Sequence, residues 1–222
     1  MDIARNFKNV LEDLPRGVKI VAVSKTRSPA EIMHLYSTGH RIMGENKVQE
    51  MVDKKDDLPD DIQWHMIGHL QSNKVKYIAP FVSMIHSADS LKILKIINKE
   101  AKKNNRIIDC LLQVHIAREE SKFGFSEEEV LDLLGNISPG DLPGVRIRGL
   151  MGMATLTVDS ELIRSEFRNL SNLFKRIKES VFAATDQFDE LSMGMSNDYK
   201  IAMEEGSTIV RIGSLIFGER NT

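Results

Sequence analysis

Eight times over, the 222-residue chain passes from a short apolar run of strand character into a segment of helical periodicity. The connections between the two are short. Neighbouring strands that each hand over to a helix pair in parallel, because a parallel pair needs a crossover and a helix supplies it. Eight such βα units predict one α/β domain over residues 1–222, a (β/α)8 barrel, with residues 1–17 forming an N-terminal helix that leads into it. An open doubly wound sheet competes with this fold. It needs fewer strands and usually carries a Gly-rich fingerprint after the first one, which Ser24-Lys25-Thr26-Arg27 is not.

The helix boundaries carry their own signals. Ile3, Phe7, Val10, Leu11 and Leu14 share one side of a first helix, closed by Pro15 and Gly17. Residues 19–24 form the first strand. Ser28-Pro29-Ala30-Glu31 then combines an N-cap, Pro at the first helical position and Glu at the third, and predicts a helix to about 38 that stops at Gly39. Strands are expected over 41–44, 63–67, 82–86, 107–115, 145–150, 190–193 and 208–212. Helices are expected over 45–52, 71–79, 90–104, 126–134 and 160–181, the fourth opened by a Ser126/Glu129 capping box. Ser196 is expected to cap a further helix that ends at Gly206, and Ser214 to open a last helical turn. The charged, Pro-broken stretch 53–61 reads as a solvated loop.

Composition narrows the partners. Lys and Arg number 30 against 32 Asp and Glu, which gives no electrostatic case for nucleic acid or an anionic membrane surface. The hydrophobic content of 41% suffices for a full core. Cys110 lies within an apolar run and reads as a small buried hydrophobe. The first residues carry charges throughout and no apolar run reaches the length of a membrane span, so a cytoplasmic protein is expected, neither secreted nor in a membrane.

The first strand, with its run Ile20-Val21-Ala22-Val23, ends at Lys25, which puts a lysine just past a strand's carboxyl end, where α/β barrels place their chemistry. A partly desolvated lysine amine there can add to an aldehyde and form a Schiff base; a strand-end lysine reaching water is the plainer alternative. In the last two units, Met193-Gly194-Met195-Ser196 and Arg211-Ile212-Gly213-Ser214 are strand ends that turn through glycine into helix starts. Loops after the seventh and eighth strands often take phosphate in barrels, on exposed N–H groups and hydroxyls. An amine for an aldehyde and a cradle for a phosphate together suggest pyridoxal 5′-phosphate (PLP), whose ring nitrogen needs a partner. Arg211 stands near the top of the last strand and suits that role, or is a salt-bridged barrel arginine.

Several other residues have plainer readings. His65 and His69 are four apart but fall on a strand and a turn, so they do not share a helix face as a zinc pair would, and no metal is expected. Met151, Met153, Met193 and Met195 flank strand ends and read as core or pocket wall. Lys74 and Lys122 lie on loops of the cofactor face, as solvated lysines or anion contacts. Glu45, Gln49 and Glu50 read as the exposed side of a helix rather than an acid/base pair.

Over nearly its whole length the chain resembles the YggS/PROSC family of PLP-binding proteins of PLP homeostasis. The resemblance rests on VAVSKT (21–26), GENKVQE (44–50), WHMIGHLQSNK (64–74), RGLMGM (148–153), LSMGMSNDY (191–199) and GSTIVRIGSLIFGER (206–220). It implies a single TIM barrel similar to the barrel domain of alanine racemases, with PLP held as an internal aldimine on Lys25. It further implies Asn46 near the cofactor, Ser196, Gly213 and Ser214 on the phosphate, and Arg211 facing the pyridine nitrogen. Asn197 stands where many relatives carry an acidic residue, and Ser214 where threonine is common; serine keeps the hydroxyl. The expected role is a non-catalytic carrier or buffer of PLP that hands it to apo-enzymes, as a monomer. A PLP-dependent racemase-like enzyme is the alternative, and an aldolase-like use of Lys25 a more distant one. The sequence stops at Thr222, directly after the eighth unit, where barrel racemases continue into a second domain that supplies the opposite base, so two-base racemisation is not expected.

Overall fold

The computed structural model describes residues 2–118, 123–138 and 140–219. Eight parallel strands follow one another around a closed barrel in chain order, β1 pairing with β2 and on through β8, which returns to β1. They are β1 Lys19–Val23, β2 Ile42–Glu45, β3 Gln63–Met66, β4 Met84–Ala88, β5 Ile108–Gln113, β6 Val145–Met151, β7 Glu190–Met195 and β8 Ile209–Ile212. The helices are α1 Ile3–Glu12, α2 Pro29–Tyr36, α3 Val48–Asp56, α4 Val75–Ile78, α5 Leu91–Lys103, α6 Glu127–Asn136, α7 Ser160–Ser180, α8 Tyr199–Glu204 and α9 Ser214–Phe217. The expected barrel and its eight βα units are what the chain forms.

Local chemistry explains most boundaries. The Ser28/Glu31 and Ser126/Glu129 capping boxes are both formed, each satisfying helix-start N–H groups that have no partner within the helix. In α7, Ile163, Phe167, Leu170, Phe174 and Ile177 are buried in a stripe at helical spacing against the sheet.

Four expectations need correction. Residues 53–56 continue α3 instead of opening a loop, because Lys54 is drawn under the helix into a buried ion pair. The helix expected over 71–79 splits into a 3-10 turn, Ser72–Lys74, and the short α4. The fourth strand begins two residues later than expected, at Met84, since Val82 still closes the turn with its N–H on the Ile78 carbonyl. Ser196 does not cap α8; that position falls to Asp198, and the Ser196 hydroxyl is used elsewhere.

Two apolar clusters hold the fold. The larger fills the layer between strands and helices, and includes Ile32, Leu94, Phe167 and Phe217. The smaller lies inside the barrel and joins Val21, Met84, Leu111, Met151 and Ile209. Side chains alternate along each strand, so the residues two apart from these also face inward. That puts Lys19 and Val23 on the same face of β1 as Val21, and Arg211 on the same face of β8 as Ile209.

β6 and β7 meet at Gly149, which pairs with Glu190 at a backbone φ of 157°. A Cβ there would collide with the Glu190 carbonyl. Gly149→Ala is expected to lower unfolding free energy by about 3 kcal/mol in urea denaturation. A variant as stable as the parent would contradict this packing.

Candidate functional site

A cavity of about 730 Å³ opens at the carboxyl ends of the strands. Lys25, Ser196, Arg211, Gly213 and Ser214 all line it. Five of the six sequence-expected site residues thus meet at one place, although they come from opposite ends of the chain.

Lys25 is partly buried and stands two residues past the end of β1, after Ser24. The turn that carries it is unusual. Thr26 holds a φ of 64°, a left-handed conformation that costs a β-branched residue about 1–3 kcal/mol. The turn is held from beneath by α3. The Thr26 N–H donates to Glu50 Oε1. Lys54 Nζ donates to the same Glu50 oxygen at 2.6 Å, to the Ser24 carbonyl at 2.7 Å and to Glu45 Oε1 at 2.8 Å. Ser24 Oγ donates to Glu45 Oε1 at 2.6 Å. Glu45 is fully buried, and burial raises its carboxyl pKa against the opposing pull of Lys54 and Ser24.

This corrects the reading of Glu45, Gln49 and Glu50 as one exposed helix side. Only Gln49 is exposed; Glu45 belongs to β2, because α3 begins three residues later. The Glu50–Lys54 spacing of four on a helix was the available signal.

At the neighbouring strand ends, Gly213 N–H donates to Ser196 Oγ at 3.3 Å, tying the turn after β7 to the turn after β8. Ser214 begins α9 and is exposed. The Ile216 and Phe217 N–H groups return to the Gly213 carbonyl, while the first N–H groups of a helix have no acceptor within it. Asp198 lines the same wall, and burial raises its pKa.

Arg211 is buried and reaches the cavity from inside the barrel. Its guanidinium donates to Ser192 Oγ at 2.7 Å and to the Gly152 carbonyl at 3.0 Å. Among the described residues it makes no ion pair, so the salt-bridged alternative does not apply. Burial lowers its pKa to about 10, opposed by Asp198, and it remains charged at neutral pH.

Behind Arg211 a line of polar groups runs down the barrel. His86 Nδ1 lies 3.0 Å from Ser192 Oγ, and His86 Nε2 lies 2.9 Å from His65 Nδ1. One proton order satisfies all of them: Arg211 donates to Ser192, Ser192 to His86 and His86 to His65. His65 and His69 part company as the strand-and-turn reading requires. His65 turns into the barrel; His69 meets Asp89 at 2.9 Å and stacks on Phe123 at 3.7 Å between ring centres. Sequence reasoning missed His86 and Ser192, which lie 106 residues apart.

Asn46 follows β2 as Lys25 follows β1. Since Val23 pairs with Gly44, the two leave adjacent strand ends at the same level. Asn46 does not line the cavity; its Oδ1 is buried and without a hydrogen-bond partner among the described residues. Gly68 lets the next strand end pass against the Asn46 backbone, where any Cβ would collide. Met153 and Met195 form cavity wall, Met151 and Met193 are buried, and Cys110 is buried. Lys74 sits in the 3-10 turn beside the Tyr77 ring, away from the cavity. Lys122 lies outside the described residues.

The fold and site define a class: parallel eight-stranded barrels with a lysine just past the first strand, in one cavity with a serine turn after the seventh strand and a Gly-Ser turn after the eighth. The family profile of the alanine racemase N-terminal domain matches residues 2–221. A pyridoxal phosphate homeostasis protein of Aquifex aeolicus is 41% identical over 222 residues, covering 98% of this chain and 95% of that one. A pyridoxal phosphate homeostasis protein of Schizosaccharomyces pombe is 36% identical over 211 residues, covering 93% and 86%. Among solved structures, PipY of Synechococcus elongatus, with PLP bound, superposes at a TM-score of 0.87 with 32% identity, covering 97% of this chain and 100% of that one. Alanine racemase of Bartonella henselae, at 17% identity and a TM-score of 0.71, covers 100% of this chain and 61% of that one and shares the fold. The chain belongs to the alanine racemase N-terminal domain family and, within it, to the family of pyridoxal phosphate homeostasis proteins.

The buried histidines give the site a pH signature. Burial and the nearby Lys19 charge lower the His65 pKa to about 3, and burial with the His65 and Arg211 charges lowers that of His86 well below its ordinary value. Both rings are neutral when folded and bind a proton below about pH 6.5 when unfolded. Their contribution is therefore full above about pH 6.5 and is lost as pH falls toward the folded values, at up to about 1.4 kcal/mol per pH unit for each ring. Urea denaturation at pH 7 and pH 5 should show a larger loss in the parent than in a His65→Asn/His86→Asn double variant. Equal losses would contradict a neutral buried pair.

Proposed function

We propose that this protein binds PLP in the cytoplasm, with Lys25 as the covalent anchor, and buffers or delivers it as a monomer without turning over amino acids. The observation that carries this is the shared cavity: an amine at the end of β1 faces the paired turns Ser196 and Gly213-Ser214 across one opening. PLP offers an aldehyde that condenses with an amine with loss of water, a phosphate monoester, and a ring that withdraws electrons.

The residues present fit that group. Ser196 and Ser214 supply hydroxyls, and the start of α9 supplies free N–H groups, both suited to a phosphate. The orphaned Asn46 Oδ1 is a buried acceptor beside the anchor strand and suits a donor that the described residues do not provide. Arg211 stays protonated and can only donate, so it favours an unprotonated ring nitrogen, which makes the ring a weaker electron sink. That supports a carrier over a catalyst. The relatives' naming as homeostasis proteins supports the same reading, and among the described residues no helix is long and apolar enough to cross a membrane. Apo forms of PLP-dependent enzymes are the proposed recipients.

The test compares PLP with pyridoxal, which lacks the phosphate, by visible absorption. Ser196→Ala combined with Ser214→Ala should weaken PLP binding about tenfold or more and leave pyridoxal nearly unchanged. Equal effects on the two would overturn the phosphate assignment. The PLP-loaded protein, incubated with L- and D-amino acids and followed by chiral chromatography, should give no sustained inversion; robust turnover of any amino acid would replace the carrier with the racemase reading.

A further inference from the structure

The Lys25 side chain leaves the backbone between two peptide groups, and each is gripped by one member of a single ion pair. On one side, the Ser24 carbonyl accepts from Lys54 Nζ at 2.7 Å. On the other, the Thr26 N–H donates to Glu50 Oε1. Lys54 and Glu50 close the loop on each other at 2.6 Å, one helical turn apart on α3. Fixing both flanking peptide planes fixes the direction in which Lys25 Cβ leaves the chain.

We propose that Glu50 and Lys54 are positioning residues for Lys25, a clamp that aims its amine into the cavity. Lys54 is buried, with its three donors directed at Ser24, Glu45 and Glu50, an arrangement a solvated helix lysine has no need of. Thr26 is a β-branched residue at a φ of 64°, one of two non-glycine residues with positive φ among those described. A conformation of that kind persists only where its surroundings hold it, and Glu50 is the group that holds its N–H. Ser24 is tied to the same unit through Glu45, so the three consecutive residues 24–26 are all referred to the α3 side of the barrel. Neither Glu50 nor Lys54 lines the cavity; they act through the turn and touch nothing that would bind there.

The clamp rests on the reading of Lys25 as the anchor, and the experiment separates the two. Apo-protein is mixed with PLP and the growth of the visible band is followed by stopped flow, with thermal denaturation run alongside. Glu50→Ala should slow band formation about tenfold, since misaiming a reacting group costs rate rather than stoichiometry. Glu50→Gln keeps an acceptor for the Thr26 N–H and should stay close to the parent. Thr26→Gly added to Glu50→Ala should restore most of the rate, because glycine adopts this φ without strain. A parental rate in Glu50→Ala overturns the clamp. So does equal slowing in the Ala and Gln variants that Thr26→Gly does not relieve, which would mark a general charge effect.

If the parent itself gives no borohydride-reducible adduct, the anchor reading falls, and the clamp is then judged by amide exchange at Thr26. A slow Thr26 amide in the parent that becomes fast in Glu50→Ala upholds the clamp, and a fast amide in the parent overturns it. Should Glu50→Ala fail to fold, Glu50→Asp, whose shorter side chain withdraws the carboxylate from the Thr26 N–H, takes its place in both measurements with the same upholding and overturning results.

Discussion

The pairing of β1 with β8 is the contact on which the rest depends. Val21 lies beside Arg211 in that register and Ala22 beside Ile212, so residues about 190 positions apart become neighbours across a single strand spacing. That register brings the strand end before Lys25 beside the one before Gly213 and Ser214. Closure also removes the two edges that an open eight-stranded sheet would leave, and it seals Val21, Leu111, Met151 and Ile209 into an interior cluster. The site is therefore a consequence of closure, and a chain that failed to close would have a lysine and a Gly-Ser turn with no relation between them.

Closure makes a second demand, because the interior is not wholly apolar. His65, His86, Ser192 and Arg211 are all buried within it. An unpartnered buried polar group costs about 1–3 kcal/mol, so such a set is tolerable only when its members satisfy one another. Here each has a neighbour at 3.0 Å or less. The line holds Arg211 from behind while its guanidinium reaches the cavity. On the outer face of β1 and β2, Glu45 and Lys54 meet at 2.8 Å under α3, and Glu45 Oε2 is left without a hydrogen-bond partner among the described residues. The barrel thus carries one polar unit inside, supporting Arg211, and one outside, supporting the turn of Lys25.

Much of this was legible in sequence because its causes are local. Capping boxes announce helix starts within four residues, and the strand runs announce themselves by apolar content, so the barrel could be read directly, and five of the six residues expected at the site line one cavity. What could not be read depends on partners far away. Lys54 looks like one more charge in the run from Asp53 to Asp57, and only the tertiary placement of Glu45 and Ser24 draws it inside. Ser196 stands where an N-cap is expected, yet its oxygen accepts from Gly213, seventeen positions on. His86 and Ser192 carry no neighbouring signal, since their roles arise from strands that meet only across the closed barrel. Asn46 reaches the strand-end level beside Lys25, but its side-chain Oδ1 is left without a partner among the described residues, which sequence has no means of showing.

The central claim is that Lys25 covalently anchors PLP. The direct measurement is borohydride reduction of the PLP-loaded protein, followed by peptide mapping by mass spectrometry. The account predicts the reduced pyridoxyl group on the peptide that contains Lys25 and its loss in Lys25→Ala. A reduced adduct mapped to a different lysine, and retained in Lys25→Ala, would contradict it.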